Sequence, residues 1–325
     1  MAEKLIALIN RHDFFILTTH DPADADGIGA ELVLARILRE RGKQAHIINA
    51  SPMPHQFWFM DPLGQVMQWD GERHGPLLEQ GALVIVDAAK ESSLGQMGEE
   101  VGRSMEVFVI DHHEPASEEV HFSGIYDPSA ASVCEMVVEL AEAAGVTLDQ
   151  MTALAAYAGI AYDTGFFAYP KTGSRTFRVA LSLLDLGVNP NEIFTQFCQN
   201  APARVLHLQQ KALQSMAFHY GDRIATQTLL REDFAETGAL PEDTDGFVNF
   251  PLKSRDIVVS LLLKETPDKK VHCSLRSKGT INVAKVAQQF GGGGHTNAAG
   301  FKNKLGIEQV LSETLAQIIK HLDGQ

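Results

Sequence analysis

Short apolar blocks alternate with amphipathic segments over the first half of the chain. Three blocks are rich in β-branched or aromatic residues and have the length of buried strands: 14–19, 82–86 and 106–110. Three longer segments have a helical pattern of apolar positions: 27–39, 151–161 and 175–187. Strands that alternate with helices are typical of a parallel α/β sheet, which we predict for this part of the chain.

The second half has a different order of elements. A long helical pattern covers 192–217, and strand-like runs follow it at 223–230, 256–264 and 269–277. A helix at 283–290, the glycine run Gly291–Gly294 and a further helix from about Thr296 complete the pattern. We therefore predict an α/β domain over residues 1–190, a helical connector over 191–219, and a second, smaller α/β domain over 220–325.

Length and composition agree with two globular domains. The chain has 325 residues, of which 45% are hydrophobic and 21% charged, so each domain can bury a core. The longest apolar stretches are far shorter than a membrane-spanning helix, and the N-terminus has no continuous apolar region of the kind found in signal peptides. Three scattered cysteines, Cys134, Cys198 and Cys273, suggest reduced thiols. These features predict a cytoplasmic protein that does not bind membranes.

The charge balance limits the possible partners. Lysine and arginine number 27 and aspartate and glutamate 41, which gives a net charge of −14. A chain this acidic has too few cations to neutralise a long nucleic-acid duplex. A polyanionic substrate would have to be short and held locally, by metal ions and a few placed cations.

The segment THDPADADGIGAE contains the first candidate metal ligands. His20, Asp24 and Asp26 follow directly after the first predicted strand. One imidazole and two carboxylates at a strand end can supply ligands to two neighbouring cations. The alternative is a turn rich in aspartate and proline that caps the following helix.

Three further segments place acidic or imidazole groups at element ends. Asp87 ends the second strand, the run Asp111-His112-His113 ends the third, and Asp163 lies in the turn of GIAYDTGFF. Each has an ordinary structural alternative, because strand-terminal aspartates often cap helices and a lone histidine is more often structural. Four such segments in one domain favour a shared site at the carboxyl edge of the sheet.

The order of these segments resembles the motifs of the DHH phosphoesterase family. The second half adds Ser274, Arg276 and the run GGGGHTNAAG, which resemble the DHH-associated domain found in one branch of that family. The resemblance covers nearly the whole chain. In size and motif spacing it is strongest for the bacterial group that acts on nanoRNA and 3'-phosphoadenosine-5'-phosphate.

The resemblance implies a two-metal site. One metal would be bound by His20, Asp24 and Asp87, and a second by four residues: Asp26, Asp87, His112 and Asp163. Asp87 would bridge the two ions, Asp111 would orient its neighbours, and His113 would face the substrate. Nitrogen and oxygen ligands with several carboxylates suit two Mn²⁺ ions, with Mg²⁺ as the alternative.

The second domain would bind the substrate, with the active site in the cleft between the domains. The family resemblance assigns this role to six residues: Ser274, Arg276, Gly292, Gly293, Gly294 and His295. The glycine run could hold an anion at a helix start, and the alternative is a flexible linker. Lys171 and Arg175 are further candidates for phosphate contacts, unless they are only solvated. Three aromatic residues either stack on a base or belong to the core: Phe166, Phe167 and Tyr169.

These inferences predict a phosphoesterase that hydrolyses short single-stranded oligonucleotides, 3'-phosphoadenosine-5'-phosphate, or both, by a two-metal mechanism. The nearest competing enzyme is a cyclic-dinucleotide or linear-dinucleotide phosphodiesterase. An alternative from another class is a nucleotide-sensing protein that has lost catalysis. The preferred substrate, the direction of cleavage and the presence of a homodimer stay open.

Overall fold

The computed structural model describes residues 2–113, 122–266 and 270–323. The chain divides into two compact units, Met1–Asn200 and Ala201–Gln325. Each unit is built on its own six-stranded sheet.

The sheet of the first unit is parallel throughout. Its strands lie in the order β3-β2-β1-β4-β5-β6. Their bounds are β1 Phe14–Thr18, β2 Gln44–Asn49, β3 Val66–Gln68, β4 Ala82–Val86, β5 Glu106–Asp111 and β6 Ser123–Tyr126. The strand order reverses between β1 and β4, and ligands bind at such a point in open α/β sheets. The predicted parallel sheet is confirmed.

Helices cover the sheet of the first unit, and all of them except α3 contribute residues to its larger core. Their bounds are α1 Ala2–Arg11, α2 Ala25–Glu40, α3 Gly71–Leu78, α4 Val133–Ala143, α5 Gln150–Asp163, α6 Ser174–Asp185 and α7 Pro190–Cys198. A smaller cluster that includes Ile16, Ile85 and Val109 fills the opposite face of the sheet. Because both faces are buried, the central strands are continuously apolar, which is why they could be predicted from the sequence.

Helices α2 and α5 approach each other closely at glycines. A Cβ atom on Gly159 would lie 2.4 Å from Cys134 Sγ and 2.9 Å from the carbonyl oxygen of Ala25. A Cβ atom on Gly29 would lie 2.6 Å from the carbonyl oxygen of Ala155. Only residues without a side chain fit at this distance, so these glycines determine where the end of α5 lies relative to the start of α2.

The second unit has a mixed sheet in the order β11-β12-β10-β9-β8-β7. The bounds are β7 Ala217–His219, β8 Ile224–Leu229, β9 Val259–Glu265, β10 Val271–Ser277, β11 Gly293–His295 and β12 Ala298–Asn303. Among the described strands of this unit, only β8 and β9 pair in parallel. The helices are α8 Ala203–Gln214, α9 Arg231–Thr237, α10 Val283–Gln289 and α11 Ile307–Asp323, and two 3-10 segments are Pro241–Thr244 and Phe247–Lys253.

Two apolar clusters lie on opposite faces of this sheet. One contains residues of α10 and α11 together with Val271, Cys273 and Leu275 of β10. The other contains residues of α8, the 3-10 segment Phe247–Lys253, and Leu262 of β9. The predicted smaller α/β domain is therefore confirmed as a fold class.

The prediction of a helix from about Thr296 was wrong. The chain forms the edge strand β11 and then β12, which pairs antiparallel with β10 from Val271↔Asn303 to Arg276↔Ala298. Three of the six residues 298–303 are alanine or glycine, so their sequence carries little strand signal, and pairing with β10 decides their conformation. The glycine run consequently does not lie at a helix start. Gly292 instead donates its amide to the carbonyl of Ala287, at the C-terminal end of α10.

The segment predicted as a helical connector contains two separate helices. Helix α7 ends at Cys198 and lies within the first unit, whereas α8 begins at Ala203 and lies within the second. Pro202 at the N-cap position of α8 disfavours helical backbone just before it, which explains the interruption. No helix among the described residues is long and apolar enough to cross a bilayer.

Candidate metal centre

The predicted metal ligands of the first unit meet at the carboxyl edge of its sheet. His20 follows β1, Asp87 follows β4, and His112 follows β5. Asp26 lies in the first turn of α2 and Asp163 at the last position of α5. The chain therefore brings the six residues together from four separate segments, as the strand-end argument predicts.

One group of donors surrounds His20. Its Nε2 atom lies 3.5 Å from Asp24 Oδ2 and 3.6 Å from Asp87 Oδ2. The donor atoms of these three residues all lie within 4.8 Å of one another, which is close enough to share one cation. Asp24 is also the N-cap of α2, because its side chain accepts from the amides of Asp26 and Gly27. The capping alternative and the ligand prediction are thus compatible.

A second group surrounds His112. Its Nε2 atom lies 3.5 Å from Asp87 Oδ1 and 3.4 Å from Asp163 Oδ2. Asp26, His112 and Asp163 form another cluster whose donor atoms lie within 4.8 Å of one another. The two carboxylate oxygens of Asp87 therefore face different groups, Oδ2 toward His20 and Oδ1 toward His112. This is the arrangement that a bridging carboxylate requires.

Asp87 has a constrained backbone and a buried side chain. Its φ angle is +57°, which is uncommon for a residue with a side chain, and its amide donates to the carbonyl of Ile110. Asp87 Oδ1 is buried and has no hydrogen-bond partner among the described residues. A buried carboxylate oxygen without a partner is costly, and a bound cation would satisfy it.

The charges of the cluster shift each other's protonation. Burial opposes a charge on His20, but its contacts with Asp24 and Asp87 prevail and raise its pKa to about 10. Against the same effect of burial, contacts with Asp87 and other carboxylates raise the pKa of His112 to about 9. Burial raises the pKa of Asp163 to about 6 and, with the charges of Asp87 and Asp163, raises the pKa of Asp26 well above its usual range.

The raised pKa values of Asp26 and Asp163 reflect burial together with repulsion by neighbouring carboxylates, which a cation among them would relieve. The residues fit a divalent metal: the donors are oxygen and imidazole nitrogen, they lie in overlapping groups, and the negative charge is concentrated in a buried place. Groups that could hold a metal are thus present. The identity and number of the ions belong to the proposal below.

Backbone groups outside the predicted motifs form hydrogen bonds with Asp26 and His112. Asp26 accepts hydrogen bonds from the amides of Val133 (2.6 Å) and Cys134 (2.9 Å) at the start of α4. The Nδ1 atom of His112 lies 3.3 Å from the carbonyl oxygen of Ala130, so Nε2 is directed to the carboxylates. Sequence reasoning missed these supports. The pattern Ser132-x-x-Glu135 is a helix-start signal that could have located the first, since Ser132 caps α4.

The remaining residues of the DHH run differ in burial. Asp111 is buried, and its Oδ1 atom lies 2.7 Å from Nδ1 of His113. The His113 side chain is 48% exposed, so this imidazole lies at the open side of the cluster. The contact with Asp111 raises the pKa of His113, with burial acting against it.

Lys171 and Arg175 have different surroundings. The Lys171 ammonium donates to the carbonyl of His112 at 3.4 Å, which places a cation beside the cluster. Arg175 instead forms ion pairs with three carboxylates: Asp127, Glu135 and Glu139. Arg175 therefore links α6, on which it lies, to α4 and to the residue after β6, and it is not merely a solvated cation.

The three aromatic residues after Asp163 also differ in their burial. Phe167 is stacked on Phe177 with ring centroids 5.5 Å apart and is partly buried against the core. Tyr169 is 58% exposed and Phe166 is 36% exposed, with Phe166 in edge contact with Phe194. Phe166 and Phe167 both have positive φ angles, a strained backbone of the kind that is found at functional sites.

The predicted substrate residues of the second unit lie on β10 and around the glycine run. Ser274 and Arg276 are half-buried on one face of β10. The Arg276 guanidinium donates to the carbonyl of Leu275. A Cβ atom on Gly292 would lie 2.2 Å from the carbonyl oxygen of Gly300, whereas one on Gly293 would meet nothing within 4 Å. Gly294 has a φ angle of +136°, and the side chain of His295 lies outside the described part of the structure.

Comparisons with known proteins identify the family. The sequence model of the DHH family, N-terminal domain, matches residues 15–160, and that of the DHHA1 domain matches residues 221–323. A protein of Thermus thermophilus named bifunctional oligoribonuclease and PAP phosphatase NrnA is 32% identical over 94% of this chain and 89% of its own length. The chain belongs to the DHH family, in the branch with a DHHA1 domain, and the resemblance of its motifs is confirmed.

Further matches include two curated relatives and one solved structure. The protein of the same name from Bacillus subtilis is 28% identical over 92% of each chain. A cyclic-di-AMP phosphodiesterase PdeA of Listeria monocytogenes is 27% identical over the whole of this chain but only 49% of its own length. Among solved structures, an exopolyphosphatase-related protein from Bacteroides fragilis has a TM-score of 0.93 at 24% identity, covering 98% of this chain and 96% of its own. This likeness shows that the fold is shared.

Proposed function

We propose that the chain is a divalent-metal-dependent phosphoesterase that hydrolyses short single-stranded oligonucleotides and 3'-phosphoadenosine-5'-phosphate. The observation that carries the proposal is the position of Asp87, whose two oxygens face two groups of donors. The names of two relatives that match over 89% or more of both chains, oligoribonuclease and PAP phosphatase, support the choice of substrates.

The proposed ligands divide between two ions. His20, Asp24 and Asp87 would hold one ion, and Asp26, Asp87, His112 and Asp163 the other, with Mn²⁺ preferred for oxygen and imidazole donors. When bound, two divalent ions would supply a water of lowered pKa and neutralise charge on the phosphoryl oxygens. The carbonyl of Ala130 and the amides at the start of α4 keep His112 and Asp26 in place for this role.

Two further residues of the first unit would act on the substrate itself. His113 contacts Asp111 and is half exposed, which supports a role in contacting the phosphate or the leaving oxygen. Lys171 lies beside the carbonyl of His112 and can pair with a phosphate oxygen. In the second unit, Arg276, Ser274, the glycine run and His295 would bind the nucleotide end.

An assay of four substrates tests the proposal. Dinucleotide RNA, pentanucleotide RNA, cyclic di-AMP and 3'-phosphoadenosine-5'-phosphate are each incubated with metal-depleted protein and added Mn²⁺ or Mg²⁺. We expect hydrolysis of the two RNAs and of 3'-phosphoadenosine-5'-phosphate, with more activity in Mn²⁺. Activity that survives exhaustive chelation would contradict the two-metal site, and hydrolysis of cyclic di-AMP alone would favour the competing phosphodiesterase.

A further inference from the structure

One face of β10 carries polar side chains that point away from the apolar cluster of α10 and α11 and lie on the same face as Leu262 of the α8 cluster. Val271, Cys273 and Leu275 are buried, while the residues between them are only half-buried: His272, Ser274 and Arg276. Successive side chains of a strand point to opposite faces, so these three lie in one line on the same face. Their Cα atoms span about 13 Å from His272 to Arg276, because a strand rises by about 3.3 Å per residue.

The register of the sheet places two lysines beside His272. His272 is paired with Lys264 of β9 and with Lys302 of β12. Paired residues of antiparallel strands share a face, so Lys264, His272 and Lys302 form a line across three strands. We call these three residues the basic row.

The basic row has no compensating ion pair. Among the described residues, none of the three side chains lies within 4.0 Å of a carboxylate oxygen. Lys264 donates instead to the carbonyl of Pro241 at 2.9 Å and to the hydroxyl of Thr244 at 2.7 Å. Lys264 and Lys302 lie on either side of His272, so an anion bound at His272 would lie between two cations.

The pKa values of His272 and Lys264 in the row are both lowered. Burial lowers the pKa of His272, and the charges of Lys264 and Lys302 lower it further. Burial also lowers the pKa of Lys264; Lys302 acts in the same direction, and Asp245 and Glu242 act against it. The neutral imidazole of His272 can still donate one hydrogen bond, and the two lysines provide the positive charge.

On the β12 side of β10, the residues between the basic row and Arg276 are small, whereas on the β9 side Ser274 is paired with Leu262, which is buried in the cluster of α8. Ser274 is paired with Gly300 of β12, and Gly300 is paired with Gly293 of the edge strand β11. No side chain rises from these two glycines. An extended chain of phosphates could therefore lie along β10 from Arg276, past Ser274, to the basic row.

We propose that the basic row is a second phosphate subsite, which binds an internucleotide phosphate of a single-stranded oligonucleotide while Arg276 and Ser274 bind another. The proposal rests on the proposed function, because it assumes that an oligonucleotide occupies this face. The separation of about 13 Å exceeds what one phosphate group can bridge, so a longer substrate gains contacts that a shorter one lacks.

Kinetics on two substrates test the subsite. Lys302→Gln and His272→Gln are compared with Lys285→Gln, an exposed lysine on α10, which packs on the opposite face of the sheet. For pentanucleotide RNA we expect Lys302→Gln to raise KM about tenfold, the effect of one lost charge-assisted contact, and His272→Gln to raise it less. For dinucleotide RNA and 3'-phosphoadenosine-5'-phosphate the change should stay below about twofold, and kcat and the Lys285→Gln control should be unchanged.

A binding measurement separates failure of the subsite from failure of the proposed function. Fluorescence anisotropy with a labelled pentanucleotide, in chelator, reports affinity without catalysis. If the wild-type chain binds the pentanucleotide but does not cleave it, and Lys302→Gln weakens binding about tenfold, the subsite stands and the proposed activity fails. Equal changes for the short and long substrates, or unchanged affinity and KM for the pentanucleotide in both variants, would overturn the subsite.

Discussion

The cluster of candidate metal ligands in the first unit and the polar face of β10 in the second unit are organised in different ways. In the cluster, Asp26, His112 and His113 each have a second partner that fixes the side chain: the amides of α4, the carbonyl of Ala130 and the carboxylate of Asp111. On β10, the guanidinium of Arg276 contacts a backbone carbonyl of its neighbouring residue. Substitutions in the cluster should therefore alter the chemical step and metal binding, and substitutions on β10 should alter affinity.

The largest effect is expected at Asp87. We predict that Asp87→Asn lowers kcat by more than about a hundredfold and reduces bound metal, because residues that merely support metal ligands already contribute 10- to 100-fold. Asparagine is the decisive variant, since it accepts the positive φ angle of this position better than alanine does. Metal content by elemental analysis and kcat are measured together.

Asp149→Asn is the matched control for this prediction. Asp149 caps α5 from outside the cluster, and asparagine caps helices about as well as aspartate. The control should retain metal and activity. An Asp87→Asn variant that kept both would show that the bridge is wrongly placed.

Arg276 should produce the next largest effect. Arg276→Ala removes a guanidinium that can bind a phosphate through two hydrogen bonds, and we expect KM to rise about ten- to two-hundredfold with bound metal unchanged. Arg255→Ala, whose side chain is 94% exposed, is the control of the same residue type. Loss of metal in Arg276→Ala, or an unchanged KM, would contradict the division between chemistry and affinity.

The convergence of the candidate metal ligands could be predicted from the sequence. Apolar blocks show where strands end, and parallel strands bring their carboxyl ends together. The contacts that hold the surrounding segments in position could not be predicted. The contact of Asp26 with Val133 joins residues 107 positions apart, and the ion pairs of Arg175 depend on the packing of α6. In the second unit, the sequence did not predict the strands β11 and β12. These strands contain mostly small residues, and their conformation is determined by pairing.

Packing around the cluster gives the third prediction. Gly159→Ala should lower the free energy of unfolding by about 1–3 kcal/mol, the usual cost of overpacking, because its Cβ atom would lie 2.4 Å from Cys134 Sγ. It should also weaken metal binding, since α5 carries Asp163. Gly293→Ala, with nothing within 4 Å of the added atom, is the control and should change thermal unfolding little. Equal unfolding temperatures for the two variants would show that α2 and α5 can separate without cost.

The last prediction concerns the pH dependence of stability and a buried acid behind the cluster. Glu31 of α2 is fully buried, accepts a hydrogen bond from Asn49 at 2.9 Å, and has its other carboxylate oxygen without a partner among the described residues. Burial raises the pKa of Glu31 from 4.5 to about 8, while the hydrogen bond from Asn49 acts against it. The folded chain therefore keeps this proton in a range of pH where the unfolded chain has released it.

The sign of the pH dependence follows from that difference. The contribution of Glu31 to stability should be fully present below about pH 4.5, fall as pH rises to about 8, and stay constant above it, with a slope of at most about 1.4 kcal/mol per pH unit. Glu31→Gln removes the titration, so the stability of the wild type relative to this variant should decrease between pH 5 and pH 8. Thermal unfolding in chelator across this range measures the difference, with the exposed Glu99→Gln as the control. Parallel pH curves for the wild type and Glu31→Gln would show that Glu31 is already ionised in the folded chain, and the buried region behind the cluster would then be charged rather than neutral.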